Sequence, residues 1–166
     1  INDVCGGLKP GRTLKAVIPG GSSAKVLRAG ETFKMKVKGP DGQMLEKDVP
    51  LLDLVMDAST LQAAGTMVGS GGVMIMDDSR DMVWALNNLN QFYAHESCGQ
   101  CTPCRVGTEK AVKLMEQGPW DAALLTELST LMRDASICGL GQAAPNPLLC
   151  VLKYFPDELT KPLGRW

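Results

Sequence analysis

Three evenly spaced cysteines constrain the second half of this 166-residue chain more than any other feature. Cys98, Cys101 and Cys104 lie within seven residues, so one short loop can direct three thiolates toward a single compact centre. Cysteines this close in sequence do not pair comfortably with one another as disulfides, and no secretory signal is recognisable ahead of them. The pattern therefore favours a metal centre in a reducing compartment over a disulfide framework.

The spacing of these cysteines favours an iron–sulfur cluster over zinc. A [4Fe–4S] cubane takes one ligand per iron, and a Cys-x2-Cys-x2-Cys run can supply three of the four. Structural zinc sites more often use two separated Cys or Cys/His pairs, and a second pair is missing here. His95 is the only histidine, and we expect it to be a surface or capping residue rather than a ligand. A zinc-stapled interaction module without a redox role is the alternative.

The fourth ligand must come from a distance, because Thr108 stands where a bacterial ferredoxin run has its fourth cysteine. Three candidates remain. Cys5 lies near the start of the chain, and Cys150 reads as a buried small residue in an apolar helix. Cys138 follows a helix and is itself followed by Gly139 and a second glycine, which allow close backbone approach and free amides near sulfur. We therefore select Cys138 and expect Cys5 and Cys150 not to bind the cluster.

Other residues of the cysteine loop have predicted supporting roles. Gly99 lets the backbone curl around the centre, and Thr102 is expected to cap a helix that starts at Pro103. Arg105 is expected either to offset the negative charge of a four-thiolate cluster or to be a plain surface residue. No pair of residues resembles an acid–base pair or a triad, so we expect no catalytic residue in the chain.

The overall charge excludes a general nucleic-acid binder. The chain has 17 basic and 18 acidic residues, without the basic excess that such binding requires. No apolar run approaches the roughly 20 residues of a membrane span. The charge is unevenly distributed, with a net +4 over residues 1–50 and a net −5 over residues 51–97. This distribution indicates either ordinary solvated faces or docking of the basic half on an acidic partner.

The hydrophobic period changes near residue 80, which predicts two domains in an α+β chain. The first half alternates with period 2, and Gly69-Ser70-Gly71-Gly72 is expected to be a turn rather than a phosphate loop because it precedes a strand. The predicted elements there are strands at Leu14–Ile18, Phe33–Val37, Met44–Val49 and Val73–Met76, a hairpin turn at Gly39–Gly42, and a helix at Thr60–Ala64.

The second half has helical periodicity throughout. It predicts four helices that form a small bundle with apolar stripes in its core. They are a helix after the N-cap Asp81 with the stripe Met82, Leu86, Leu89 and Tyr93; a helix at Pro103–Gln117; a helix with Pro119 in its first turn and the stripe Trp120, Leu124, Leu128 and Leu131; and a helix at Pro147–Phe155.

The segment Glu96–Arg105, with the sequence ESCGQCTPCR, closely resembles the cluster loop of the NADH-oxidising flavoprotein subunit of respiratory complex I. NAD-reducing hydrogenases and NAD-dependent formate dehydrogenases share this module. Residues 17–23 resemble the start of the family's soluble-ligand-binding β-grasp domain, and residues 69–77 resemble its end. Residues 138–142 resemble the fourth-ligand loop.

The resemblance implies a fold and a cofactor. The expected fold is a small ubiquitin-like β-grasp domain over residues 1–79, followed by a four-helix bundle that holds an iron–sulfur cluster over residues 80–166. The expected cofactor is one [4Fe–4S] cluster, and its implied ligands are Cys98, Cys101, Cys104 and Cys138.

The resemblance also implies a place in a larger oxidoreductase. The cluster would take electrons from reduced FMN, which NADH reduces in an N-terminal domain that residues 1–166 do not match, and pass them to clusters in a partner iron–sulfur subunit. The full subunit would act as an NADH dehydrogenase, whereas this chain alone is not expected to oxidise NADH. Its expected location is cytoplasmic, or peripheral at the inner membrane through partner subunits.

Overall fold

A computed structural model describes residues 1–38, 40–117 and 120–159 of the chain. The chain forms two compact units, of which the first comprises Ile1–Ser79 and the second begins at Arg80. The first unit contains the strands and the second contains long helices, so the chain is an α+β protein, as predicted.

The first unit is built from short elements. In chain order they are α1 (Asn2–Cys5), β1 (Leu14–Ile18), β2 (Leu27–Arg28), β3 (Thr32–Lys38), β4 (Met44–Pro50), a 3-10 turn (Leu51–Asp53), α2 (Ala58–Ala63) and β5 (Met74–Asp77). Strand β1 is the centre of an antiparallel sheet with the order β2-β1-β5, and β3 pairs with β4 in a separate hairpin. Strand β2 was not predicted, because two residues are too short to show a period.

The side chains of β1 are not buried in an alternating pattern. Ala16, Val17 and Ile18 are all buried in succession, rather than only the apolar members of an alternating pattern. A strand covered on both faces buries consecutive residues. Val17 packs with Leu27 and Leu51 in the core of the first unit.

The hairpin of β3 and β4 matches basic residues with acidic ones. Lys34 lies opposite Asp48, and Lys36 lies opposite Glu46. Opposite charges at directly facing positions attract each other and reduce the net charge of the surface. This register favours the interpretation of the basic residues as a solvated face. Gly39, predicted in the turn, lies outside the described residues.

Two glycine segments of the first unit meet backbone to backbone. The Ser70 amide donates to the Gly20 carbonyl (3.1 Å), and the Gly21 amide donates to the Gly72 carbonyl (2.7 Å). A Cβ atom at Gly69 would overlap the Gly20 carbonyl oxygen, because the two backbones approach so closely. Strand β5 follows this segment, which agrees with the predicted turn and leaves the glycines a packing role.

The second unit contains five helices in its described part, where four were predicted. They are α3 (Met82–Glu96), α4 (Thr102–Gln117), α5 (Ala122–Ala135), α6 (Gly139–Ala143) and α7 (Asn146–Tyr154), followed by a 3-10 turn at Pro156–Glu158. The additional helix α6 has five residues, two of them glycines, and therefore has no apolar period to detect. Helix α3 packs against α4 and α7, and α5 packs against the same two helices.

Aspartates begin two of the long helices. Asp81 accepts a hydrogen bond from the Trp84 amide (2.9 Å), so the predicted N-cap of α3 is confirmed. Asp121 accepts from the Leu124 amide (3.0 Å) at the start of α5. Pro119, predicted in the first turn of α5, lies outside the described residues. None of the described helices is both long and apolar enough to cross a membrane.

The predicted apolar stripe of α5 is wrong at two of its four positions, whereas Trp120 and Leu128 pack against the core as expected. Leu124 and Leu131 were expected in the core, but 45% and 55% of their surface is exposed. The buried face instead contains Leu125, Ser129 and Met132. Both sets of residues have helical spacing and differ by a rotation of about 100° around the helix axis, so only the packing of α5 against α4, α6 and α7 distinguishes them.

The corrected face of α5 predicts opposite outcomes for two neighbouring leucines. Leu125→Ala removes a side chain that is 1% exposed and packs against Ala111, Met115 and Leu148. The free energy of unfolding should therefore fall by about 2–5 kcal/mol. Leu124→Ala should change the stability by only about 0.5 kcal/mol. Urea unfolding followed by circular dichroism measures both, and equal losses would contradict this orientation of α5.

Candidate metal centre

The cysteine loop is a tight connection between α3 and α4. Ser97 is extended (φ −62°, ψ 122°) and ends α3. Gly99 has a φ of +77°, the left-handed conformation that glycine adopts without a steric penalty. The chain therefore turns within the five residues between the two helices, as predicted for Gly99, and Cys98 and Cys101 lie on either side of the turn.

Arg105 braces this loop from the first turns of α4. Its Nη1 donates a short hydrogen bond to the Gly99 carbonyl, and its Nη2 lies 3.5 Å from Thr102 Oγ1. Its backbone amide donates to the Cys101 carbonyl (3.0 Å). Thr102 is therefore already inside the helix, and the prediction that it caps α4 is wrong, because Cys101 occupies the position before the first turn.

The Cys101 sulfur faces two backbone amides. The pKa of the Cys101 thiol is lowered from its ordinary value by hydrogen bonds from two backbone amides. The Ile137 amide has the larger effect, and the Cys104 amide has the second largest. Both amides favour the negatively charged thiolate, which is the form that binds metal. Ile137 directly precedes Cys138, so the segment with the predicted fourth ligand lies against the cysteine loop.

Helix α6 approaches the start of α4 through Gly141. A Cβ atom on Gly141 would lie 2.9 Å from the Cys104 Cβ and 2.5 Å from the Ser136 Oγ, so a larger residue would push the two segments apart. Gly139, in contrast, has open space around it. The predicted role of glycine in close approach therefore belongs to Gly141.

The four predicted ligands differ in exposure. Cys104 is buried, Cys101 is half-buried, and Cys98 and Cys138 are exposed. The Cys104 Sγ lies 3.3 Å from the Ser97 Oγ, a hydrogen-bond contact at the end of α3. The loop thus has a covered side at Cys104 and an open side at Cys98 and Cys138.

The two remaining cysteines lie elsewhere. Cys150 is buried in α7, which confirms its prediction as a small buried helical residue. Cys5 is exposed at the end of α1 in the first unit. All six cysteines are among the described residues, and they form no disulfide with one another.

The predicted donor set is four cysteines, without a histidine or a carboxylate. Across the described ranges, no three His, Cys, Asp or Glu side chains converge closely enough to hold one metal ion. Cysteine thiolates are the ligands of a [4Fe–4S] cubane, one for each iron.

Ser136 and His95 are two further polar residues near the cysteine segments. The Ser136 Oγ is buried beside the cysteines and has no hydrogen-bond partner, so it has a donor available for a group bound there. His95 is exposed and pairs with the adjacent Glu96 carboxylate (3.0 Å), which agrees with its prediction as a surface residue. Sequence reasoning missed Ser136, because a single serine carries no pattern.

Comparison with known proteins identifies similar sequences over nearly the whole chain. Residues 84–162 match the family model of the NADH-ubiquinone oxidoreductase-F iron-sulfur binding region. An NADH-quinone oxidoreductase subunit of Rhizobium meliloti (strain 1021) is 38% identical over 164 residues, which cover 95% of this chain and 34% of that protein. An NADH-quinone oxidoreductase subunit of Rickettsia typhi (strain ATCC VR-144 / Wilmington) is 35% identical over 166 residues, with coverage of 96% and 35%. The chain spans about a third of the length of these relatives.

Solved structures show a similar fold. A crystal structure of an NAD+-reducing [NiFe]-hydrogenase in the H2-reduced state matches 89% of this chain and 23% of that chain, with a TM-score of 0.59 and 29% identity. The air-oxidized state of such an enzyme matches 93% of this chain and 24% of that chain, with a TM-score of 0.60 and 28% identity.

The amides around Cys101 predict a pH dependence of its reactivity. In cluster-free folded protein, alkylation of Cys101 by iodoacetamide should reach half its maximal rate at a lower pH than in urea-unfolded protein, where the thiol pKa is about 8.5. Because folding lowers this pKa, the amide contacts stabilise the fold at alkaline pH, and this stabilisation is lost as the pH falls through the lowered value. Site-resolved mass spectrometry measures the rates, and the same half-point in both states would contradict the contacts.

Proposed function

We propose that the chain, whose residues 84–162 match the family model of the NADH-ubiquinone oxidoreductase-F iron-sulfur binding region, transfers electrons through one [4Fe–4S] cluster within an NADH:acceptor oxidoreductase. The observation that carries the proposal is the family match over residues 84–162, which contains the cysteine loop and the Cys138 segment together.

The proposed ligands are Cys98, Cys101, Cys104 and Cys138. The approach of the Ile137 amide to the Cys101 sulfur supports this set, since Cys138 is the next residue along the chain. The close packing of Gly141 against Cys104 supports it further. When bound, such a cluster accepts and releases single electrons.

The protein's own groups would hold and electrostatically support the ligands. The Ile137 and Cys104 amides stabilise negative charge on Cys101. The Arg105 guanidinium fixes the loop through the Gly99 carbonyl and so adds a positive charge to the cysteine loop. Cys104 is shielded by α6, whereas the exposed Cys98 and Cys138 leave one side of the site open for electron exchange with a partner.

The remaining parts of the reaction are proposed to lie outside these 166 residues. The relatives named as NADH-quinone oxidoreductase subunits are about three times longer than the matched segment. We therefore assign NADH oxidation and FMN binding to an N-terminal flavin domain of the same subunit, and onward transfer to a further iron–sulfur subunit. The chain alone should not oxidise NADH. A place in an NAD-reducing hydrogenase, as in the matched structures, or in a formate dehydrogenase is the alternative within the same class.

We also propose the finer fold of each unit. A β-grasp domain at residues 1–79 is supported by the central strand β1 with β2 and β5 on its two sides, and by the position of α2 between β4 and β5 in the chain. A four-helix bundle within residues 80–166 is supported by the closed ring of contacts α3–α4–α5–α7, to which α6 is an addition.

Metal analysis tests the cluster directly. After anaerobic reconstitution of the 166-residue chain, we expect a brown protein with about four irons and four acid-labile sulfides per chain. A colourless protein that retains a single zinc ion would establish the interaction module instead.

Substitution of individual cysteines tests the ligand set. Cys138→Ser should sharply lower the iron content, because it removes a thiolate ligand. The matched control Cys150→Ala should leave the iron content unchanged and cost about 1 kcal/mol of packing stability, since Cys150 is buried in α7. Loss of iron in the Cys150 variant with retention in the Cys138 variant would move the fourth ligand to Cys150.

The cluster should also stabilise the helical unit. The proposed ligands Cys98 to Cys104 lie in the cysteine loop and the first turn of α4, and Cys138 lies 34 positions later, directly before α6. A group that binds only the folded state stabilises that state. Cys138→Ser should therefore reduce hydrogen-exchange protection in α4 and α7, while the strands of the first unit keep theirs. Equal protection of α4 and α7 with and without the cluster would show that the helices do not depend on it.

A further inference from the structure

Ser136 is a buried polar residue whose side chain has no partner. It is 6% exposed, and its Oγ makes no hydrogen bond to any described residue. A buried hydroxyl without a partner destabilises a fold, because it has lost its hydrogen bonds to water. A group that binds next to Ser136 and accepts a hydrogen bond would remove this penalty.

The backbone of Ser136 is fixed from two sides. Its amide donates to the Met132 carbonyl (3.2 Å) at the end of α5, and its carbonyl accepts from Gln142 Nε2 (3.1 Å) in α6. The backbone of Ser136 is therefore held in the connection between these helices.

The hydroxyl lies among the proposed ligands. The ideal Cβ position at Gly141 is 2.5 Å from the Ser136 Oγ and 2.9 Å from the Cys104 Cβ, so the hydroxyl and Cys104 border the same small space. Ser136 thus lies beside Cys104, two residues before Cys138.

We propose that the Ser136 hydroxyl donates a hydrogen bond to a sulfur of the bound cluster and thereby raises its reduction potential. The inference rests on the proposed function and adds a residue to it. Hydrogen bonds to cluster sulfurs are among the factors that set the potential, because a donor stabilises the additional negative charge of the reduced state. Ser136 is then a positioning and tuning residue and not a ligand.

Other hydroxyls in the helical unit are already satisfied and provide a control. The Ser129 Oγ is fully buried in α5, the helix that ends at Ser136, but donates to the Leu125 carbonyl (2.7 Å). The Thr108 Oγ1 donates to the Cys104 carbonyl (2.8 Å). Ser129→Ala therefore removes a buried serine hydroxyl nearby in the chain without removing a donor from the cluster.

The experiment compares Ser136→Ala and Ser129→Ala in the anaerobically reconstituted 166-residue chain. Iron and sulfide content, and the midpoint potential from a redox titration followed by electron paramagnetic resonance, are measured for each. We expect unchanged cluster content in both variants, a lower midpoint potential for Ser136→Ala, and an unchanged potential for Ser129→Ala. A fully loaded Ser136→Ala protein with the potential of the unaltered protein would overturn the inference and leave the proposed function intact.

A second pair of variants covers the case in which Ser136→Ala does not hold the cluster. Ser136→Thr and Ser136→Val have nearly the same shape and differ in the hydroxyl group. A lower potential for the valine variant than for the threonine variant supports the hydrogen bond, and equal potentials overturn it. Failure of the unaltered chain to bind iron and sulfide would instead refute the proposed function itself.

Discussion

The helical unit depends on the close approach of α6 to the start of α4. Gly141 makes this approach possible because its missing side chain leaves room for Cys104 and Ser136. The approach places the Ile137 amide at the Cys101 sulfur, although the two residues are 36 positions apart in the chain. Without this contact, the cysteine loop and the Cys138 segment would be two unrelated connections between helices.

Electrostatics explain why so many donors surround the loop. Thiolate ligands concentrate negative charge, and a partly buried site must compensate for it. The compensation comes from groups of different kinds: backbone amides at Cys101, the guanidinium of Arg105 on the loop, and the hydroxyl of Ser97 at Cys104. The Cys104 amide and Arg105 belong to α4, whereas Ile137 and Ser97 lie in the connections between helices.

Local patterns predicted the parts of the fold that depend on neighbouring residues. The cysteine spacing indicated a centre at Cys98–Cys104, and the N-cap of α3 and the hairpin of β3 and β4 follow from short-range preferences. The family resemblance read from the cysteine loop is confirmed by the match over residues 84–162.

The parts that sequence reasoning missed depend on contacts between distant segments. The buried side of α5 is decided by its packing partners, since Leu124 and Leu125 fit helical stripes equally well. Helix α6 is too short and too rich in glycine to show a period. Thr102 is a residue type that often caps helices, but Cys101 precedes the first turn of α4 and its carbonyl accepts from the Arg105 amide. The ligand set and the domain identities stay predictions.

The antiparallel pairing of β1 with β5 determines when the first unit can fold during synthesis of the chain. Leu14 faces Asp77, so the sheet of the first unit cannot close until nearly all of that unit has left the ribosome. Domains fold as units during synthesis, N-terminal first, and β5 leaves the ribosome before Cys98. The first unit can therefore complete its sheet before any cysteine of the loop is available.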